Sequence, residues 1–245
     1  MTSRLFTSAL FAGLLAGLIA VLLQFFLMQP LILEAEYYES GAKVHFGGVI
    51  TDTVADVQAE PEDTGDTGDT GDTGEDESNV ARFALAFFMA FVTWVAYGLV
   101  MIAGFAIAER FGRPITVQAG LLWGIAGFVS FQMMPGLGLP PNMPGVPAAE
   151  LSLRQIWWIG TTISTVMAMV AFGYGRRPVF IAVGVGLLIV PHLIGAPSLD
   201  EFLGNVPPGL ATEFVTRSLV VSAAAWVVLG VVAGYFWQRQ GATPV

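Results

Sequence analysis

A bilayer's hydrocarbon core is about 30 Å thick, and an α-helix needs roughly 20 apolar residues to cross it. This chain holds six runs of about that length, bounded by charge or turn residues: 5–28, 83–108, 115–134, 155–174, 178–197 and 211–237. They predict an all-α polytopic membrane protein, a bundle of six transmembrane helices forming a single membrane domain over 1–245. Pro191 and His192 interrupt the fifth run, so five spans is the alternative reading. The first run is too long for the apolar region of a signal peptide, about 7–15 residues, and no small-residue cleavage site follows it closely. It is read as a retained span. Composition agrees: 55% of residues are hydrophobic and 12% charged, against about 25% charged in soluble domains.

Charge is distributed unevenly. Residues 30–81 hold fourteen Asp and Glu against the single Lys43, while the whole chain sums to −9, which leaves +4 for the rest. With six spans, Arg4, Arg110, Arg113, Arg176, Arg177 and Arg239 all fall on one side, and an excess of short-loop arginine marks the cytoplasmic face. The chain is therefore expected in the cell membrane with both termini cytoplasmic. The acidic segment, the Pro/Gly loop 135–153 and the loop 198–210 then face outward.

Several function classes drop out. Zero cysteines remove disulfides, zinc ribbons, iron–sulfur clusters and thiolate catalysis, and two histidines are too few for a histidine cage. A basic stripe of the kind that binds nucleic acid is lacking, as is a Gly-x4-Gly-Lys-Ser/Thr nucleotide loop. Four tandem Asp-Thr-Gly copies run from Asp63 to Gly74. In aspartic proteases that tripeptide is buried between apolar strands, whereas here its neighbours are Glu, Pro and Asp. Residues 52–80 are accordingly expected as a disordered acidic external loop, too polar to bury a core.

Polar groups inside spans cost about 2–3 kcal/mol each and so invite a reason. At 1.5 Å per residue from the arginine side, Gln24 lies roughly 28 Å across, Gln132 roughly 26 Å and His192 about 21 Å. Pro191 removes a backbone hydrogen bond and frees the carbonyl of Leu187 to seek another partner. A kinked helix with free carbonyls and an imidazole suits a divalent transition metal; equally, the histidine serves only to stabilise the kink. Beyond Pro30 come Glu34, Glu36 and Glu39. Extended backbone would point Glu34 and Glu36 the same way, whereas a helix would put Glu36 and Glu39 on one face; ordinary interfacial capping remains open for them. His45, Met28, Met133, Met134 and Glu150 belong to the same outer region, where Arg154 and Arg217 are candidates to pair with the acids. Gly13 with Gly17, Gly120 with Gly124, and Gly230 with Gly234 stand at the spacing of close helix contacts.

Several of these pieces together resemble the CbtA family of cobalt transporter subunits. They are Pro30-Leu-Ile-Leu-Glu-Ala-Glu-Tyr37, Gly120-Leu-Leu-Trp-Gly-Ile-Ala-Gly127 leading to Gln132, Leu137-Gly-Leu-Pro-Pro141, Gln155-Ile-Trp-Trp158 and Pro191-His-Leu-Ile-Gly-Ala-Pro197. The resemblance implies cobalt uptake beside CbtB, a small partner with one span and a histidine-rich tail, in the setting of cobalamin synthesis. Glu34, Glu36 and His192 occupy the matching positions, and the Asp-Thr-Gly insert departs from the pattern. The expected function is uptake of a divalent cation, cobalt before nickel, with His192, Glu34, Glu36 and Gln132 as metal ligands. The ion is cargo rather than cofactor, and no catalysis is expected. The alternatives are a non-transporting membrane scaffold and a membrane-embedded enzyme. The second of these would need a carboxylate paired with His192, which its own span does not supply.

Overall fold

The computed structural model describes residues 2–43, 73–143, 146–199 and 206–241, all helix or connection with no strand among them. The helices are α1 (Thr2–Leu27), α2 (Gln29–Glu39), α3 (Thr73–Arg110), α4 (Val117–Phe128), α5 (Met134–Gly138), α6 (Leu151–Tyr174), α7 (Pro178–Ile194) and α8 (Pro208–Gly241). His45, Asp200, Glu201 and the Asp-Thr-Gly copies up to Asp72 lie outside the described residues; the end of the last copy, Thr73 and Gly74, opens α3.

Five segments are long and apolar enough to cross a membrane: Phe6–Leu27, Phe87–Arg110, Val117–Gly138, Leu151–Tyr174 and Pro208–Arg239. Helix α7, which covers the fifth run, has 17 residues, about 25 Å at 1.5 Å per residue. Although short, it runs back along α6 in the opposite direction. Gly175 meets Phe180, Gly184 meets the ring of Phe172, Ser164 bonds to Leu187 and Trp157 to Pro191. Its end therefore reaches the level of the first turns of α6.

The third segment passes a proline that the sequence reading took as its end. Pro135 has no N–H and its ring would strike the carbonyl of Phe131 in a regular helix. The chain accommodates it with a π turn over Val129–Met133, in which the N–H of Met134 donates to the carbonyl of Val129. One extra residue in that turn lets the helix continue to Gly138.

Packing follows the rules of lipid rather than of water, with small residues inside and large ones outside. In α1 the stripe Ala9, Ala12, Ala16 and Ala20 is buried, whereas Phe6, Phe11, Phe25 and Phe26 are exposed. Four helices, α3, α1, α8 and α4 in that spatial order, make the main body. A Cβ at Gly13 would stand 2.5 Å from the Cα of Val95, and one at Gly98 would stand 2.7 Å from the carbonyl oxygen of Ala9, so α1 and α3 touch backbone to backbone. Between α4 and α8, Gly120 and Gly124 face Gly230 and Gly234; a Cβ at Gly234 would stand 3.1 Å from the Cα of Gly120. All three glycine pairs expected from spacing are thus contact points.

The α6–α7 pair stands apart. It meets the rest of the bundle chiefly through the π turn and α5, and only slightly through α4. Rings join the two parts at mid-depth: Phe131 lies 5.5 Å from Trp226 and 6.2 Å from Trp158 between centroids, and Tyr97 lies 4.8 Å from Trp226.

At one end of the bundle, Trp237 donates to Glu109 at 2.6 Å, the Gln238 side chain accepts from the N–H of Val117 at 3.2 Å, and Arg113 lies 5.7 Å over the Tyr174 ring. The loops bearing Arg110, Arg113, Arg176 and Arg177 and the end of α8 bearing Arg239 accordingly gather at that end. Arg217 sits at the other, where it donates to the carbonyl of Leu27 at 2.8 Å and closes the end of α1.

Candidate metal site

The surroundings of Pro191 are built from two helices. Leu187 loses its hydrogen bond to residue 191, and its carbonyl accepts from the Ser164 hydroxyl of α6 at 2.6 Å. Expected as a free group for an ion, this carbonyl is instead satisfied inside the protein. One turn on, the carbonyl of Pro191 accepts from the Trp157 indole N–H at 3.3 Å and from the N–H of Gly195 at 3.2 Å. Gly195 ends the helix at φ 87°, a left-handed value that favours glycine.

His192 follows the kink, its ring edge-on to Trp157 with centroids 5.8 Å apart. The ring is partly buried, and its Nε2 atom is buried with no hydrogen-bond partner among the described residues. A buried polar atom without a partner costs about 1–3 kcal/mol, so among His192, Glu34, Glu36 and Gln132 this nitrogen has the strongest reason to bind something.

The carboxylates lie elsewhere. Residues 29–39 are helical, with Pro30 in the first turn, so of the two arrangements open in the sequence Glu36 and Glu39 share a face. Glu34 pairs with Lys43 at 3.5 Å, both side chains being about half exposed. Lys43 is further held by its N–H to the Tyr37 carbonyl at 2.8 Å and lies 5.3 Å from the Tyr37 ring centre. Helix α2 packs on α1 and α8, and α7 packs on α6. Glu34 and Glu36 are therefore carried by a different packing unit from His192. Among the described residues, no three His, Asp or Glu side chains come close enough to hold one ion.

Gln132, on the π turn, lines a cavity of about 800 Å³ with Asn142, Arg154, Gln155, Ser218 and Ser222 among its polar neighbours. The two serines and Asn142 were not singled out in the sequence; their signal is weak because serine in a span is ordinarily a packing residue. Arg154 makes no ion pair among the described residues, and Arg217 pairs with Glu213 of its own helix rather than with α2. Glu150 accepts from Ser152 at 2.5 Å. Met28 is buried with Leu31 and Met143 in a packing cluster, and Gln24 is exposed.

A family model described as probable cobalt transporter subunit (CbtA) matches residues 2–238, nearly the whole chain, and the protein belongs to that family. No curated protein and no solved structure matches it.

Proposed function

We propose, from this membership and from the partly buried imidazole, that the chain is the polytopic subunit through which a divalent transition-metal cation, cobalt, is taken up for cobalamin synthesis. The observation that carries the reading is the buried Nε2 of His192, beside Pro191, which has no hydrogen-bond partner among the described residues. A neutral imidazole nitrogen inside a span is costly unless it is used, and it is a good ligand for cobalt. Outside the membrane, Glu34 and Glu36 attract and partly dehydrate the ion, and His192 receives it further in. Gln132 offers an amide oxygen. Because Arg154 lines the same cavity and repels a dication, an ion at Gln132 needs a carboxylate brought beside it.

These residues act in succession rather than as one shell, and the coordination is completed by another chain. The word subunit in the family description supports a partner, and a CbtB-like single-span, histidine-rich protein has the right ligands. The chain lies in the cell membrane with both termini cytoplasmic, residues 1–245 forming one membrane domain and the acidic segment 52–80 lying outside, its last residues, from Thr73 on, already in α3. No catalytic role is proposed.

Uptake of radioactive cobalt into a strain lacking this gene and its neighbour is the test. Restoring both genes should restore uptake. His192→Ala, at equal membrane abundance, should lower it by about tenfold or more, the scale of a lost ligand-shell interaction. Uptake unchanged by His192→Ala removes that residue from the route. Uptake equal with and without the gene leaves the scaffold reading, which the lack of a three-residue ligand cluster among the described residues favours.

A further inference from the structure

On the arginine side of the ring cluster a second cavity, of about 580 Å³, separates α6 from α3 and α4. Its walls are almost wholly apolar, with Met101, Trp123, Val166 and Met169 among them, and Tyr97 and Ser130 are its deeper polar groups. The side chains of Val100, Leu122 and Val170 are exposed at its edge, so it opens to the lipid-facing surface. From Ala119 to Phe131 the wall runs twelve residues, about 18 Å, somewhat more than one leaflet of a hydrocarbon core about 30 Å thick. Water gains little in such a space, because it finds few of the polar partners it needs.

The mouth of the cavity is chemically different. Arg113 lines it, with its guanidinium over the Tyr174 ring. Arg110, at the end of α3, and Arg176 and Arg177, on the loop before α7, flank it, and none of the four makes an ion pair among the described residues. The neighbouring acid, Glu109, is engaged by the Trp237 indole. A long apolar slot under an unneutralised guanidinium matches a molecule with a hydrocarbon tail and an anionic head.

We infer that this crevice binds an anionic phospholipid, one acyl chain lying between α6 and the α3–α4 pair and the phosphate on Arg113. Guanidinium and phosphate pair well, and basic pockets between spans are a known setting for acidic head groups. Positive loop charge alone would attract such lipids to the surface without a preferred position; the cavity supplies the position. The bound chain fills the space that direct helix contact leaves open, and so joins the α6–α7 pair to the main body along the half where protein packing is thin. This reading is independent of the ion route and stands or falls without it.

The full chain, purified in mild detergent, is offered equal amounts of dioleoyl phosphatidylglycerol and dioleoyl phosphatidylcholine, and retained lipid is counted by native mass spectrometry. Phosphatidylglycerol should be retained about fivefold or more over phosphatidylcholine. Arg113→Gln should bring the ratio close to one, and Arg113→Lys should keep most of the preference. Gly173→Leu, at a lining position where a Cβ meets nothing within 4 Å, should reduce retention of both lipids by obstructing the slot. Equal retention of the two lipids by the unaltered protein overturns the inference, as does a preference untouched by Arg113→Gln. Displacement of the lipid by soluble glycerol phosphate as readily as by a second phospholipid would also overturn it, since the tail would then contribute nothing. Arg113 is exposed on a loop, so the Gln variant decides the matter even where Gly173→Leu does not fold.

Discussion

The main body and the α6–α7 pair are both apolar helices in lipid, yet they are held together by different means. In the main body, glycine and alanine let backbones touch: Gly120 and Gly124 against Gly230 and Gly234, Gly13 against Val95. In the α6–α7 pair, polar groups of one helix mend a break in the other: Ser164 on the Leu187 carbonyl, Trp157 on that of Pro191. Dispersion summed over a close interface is insensitive to any one contact but intolerant of added volume. A mended break depends on single atoms. The first suits a frame, and the second suits the element that carries a ligand-seeking histidine.

Substitutions can break or sharpen this contrast. The largest effect is expected from Gly230→Leu, whose side chain would enter the backbone of α4; overpacking with no flexible neighbour should cost about 3 kcal/mol or more, measured by unfolding in detergent micelles. Its counterpart Gly184→Leu in α7, where a Cβ would meet only the Phe172 side chain, a ring that can turn aside, should cost about 1–2 kcal/mol. Equal costs at the two glycines would abolish the distinction.

Next comes Ser164→Ala, which strands the Leu187 carbonyl and should cost about 1 kcal/mol in the same measurement. In a Pro191→Ala background, residue 191 regains its N–H, Leu187 regains its helical partner, and the Ser164→Ala penalty should fall to a few tenths of a kcal/mol. A double-mutant cycle showing no coupling between 164 and 191 would refute the mended-break account. Trp157→Phe removes one of two donors to the Pro191 carbonyl and should cost about 0.5–1 kcal/mol, less than Ser164→Ala would if Leu187 has no second donor. The smallest effect belongs outside both regions: Lys43→Gln breaks the half-exposed pair with Glu34 and should change stability by less than about 0.5 kcal/mol, a change that disappears in high salt.

Much of this was legible in order along the chain. Spans were legible because hydrocarbon tolerates only long apolar helices, and the glycine pairs because their spacing puts them on one helix face. Pro191 announced an orphan at Leu187 through the fixed i to i−4 pairing of a helix. It could not announce Ser164, since a serine 23 positions earlier is one of many hydroxyls until the two helices are laid side by side. Pro135 was read as a stop; in fact a π turn carries the helix past it, because in a span the alternative is an unpaired backbone. Glu34 and Glu36 were joined to His192 by depth alone. Depth is a coordinate along the membrane normal and says nothing about which helices are neighbours.

The sequence by itself determined that the chain is a membrane bundle with most of its arginines at one end, since the cost of placing charge and unpaired backbone in lipid can be read from local composition. Only the tertiary structure decided that α7 lies on α6, that the Leu187 carbonyl is taken, that the imidazole Nε2 has no partner among the described residues, and that a lipid-sized slot opens beneath Arg113. Those facts depend on which faces meet across long stretches of chain, and in a solvent as apolar as the helices themselves, small differences in shape make that choice.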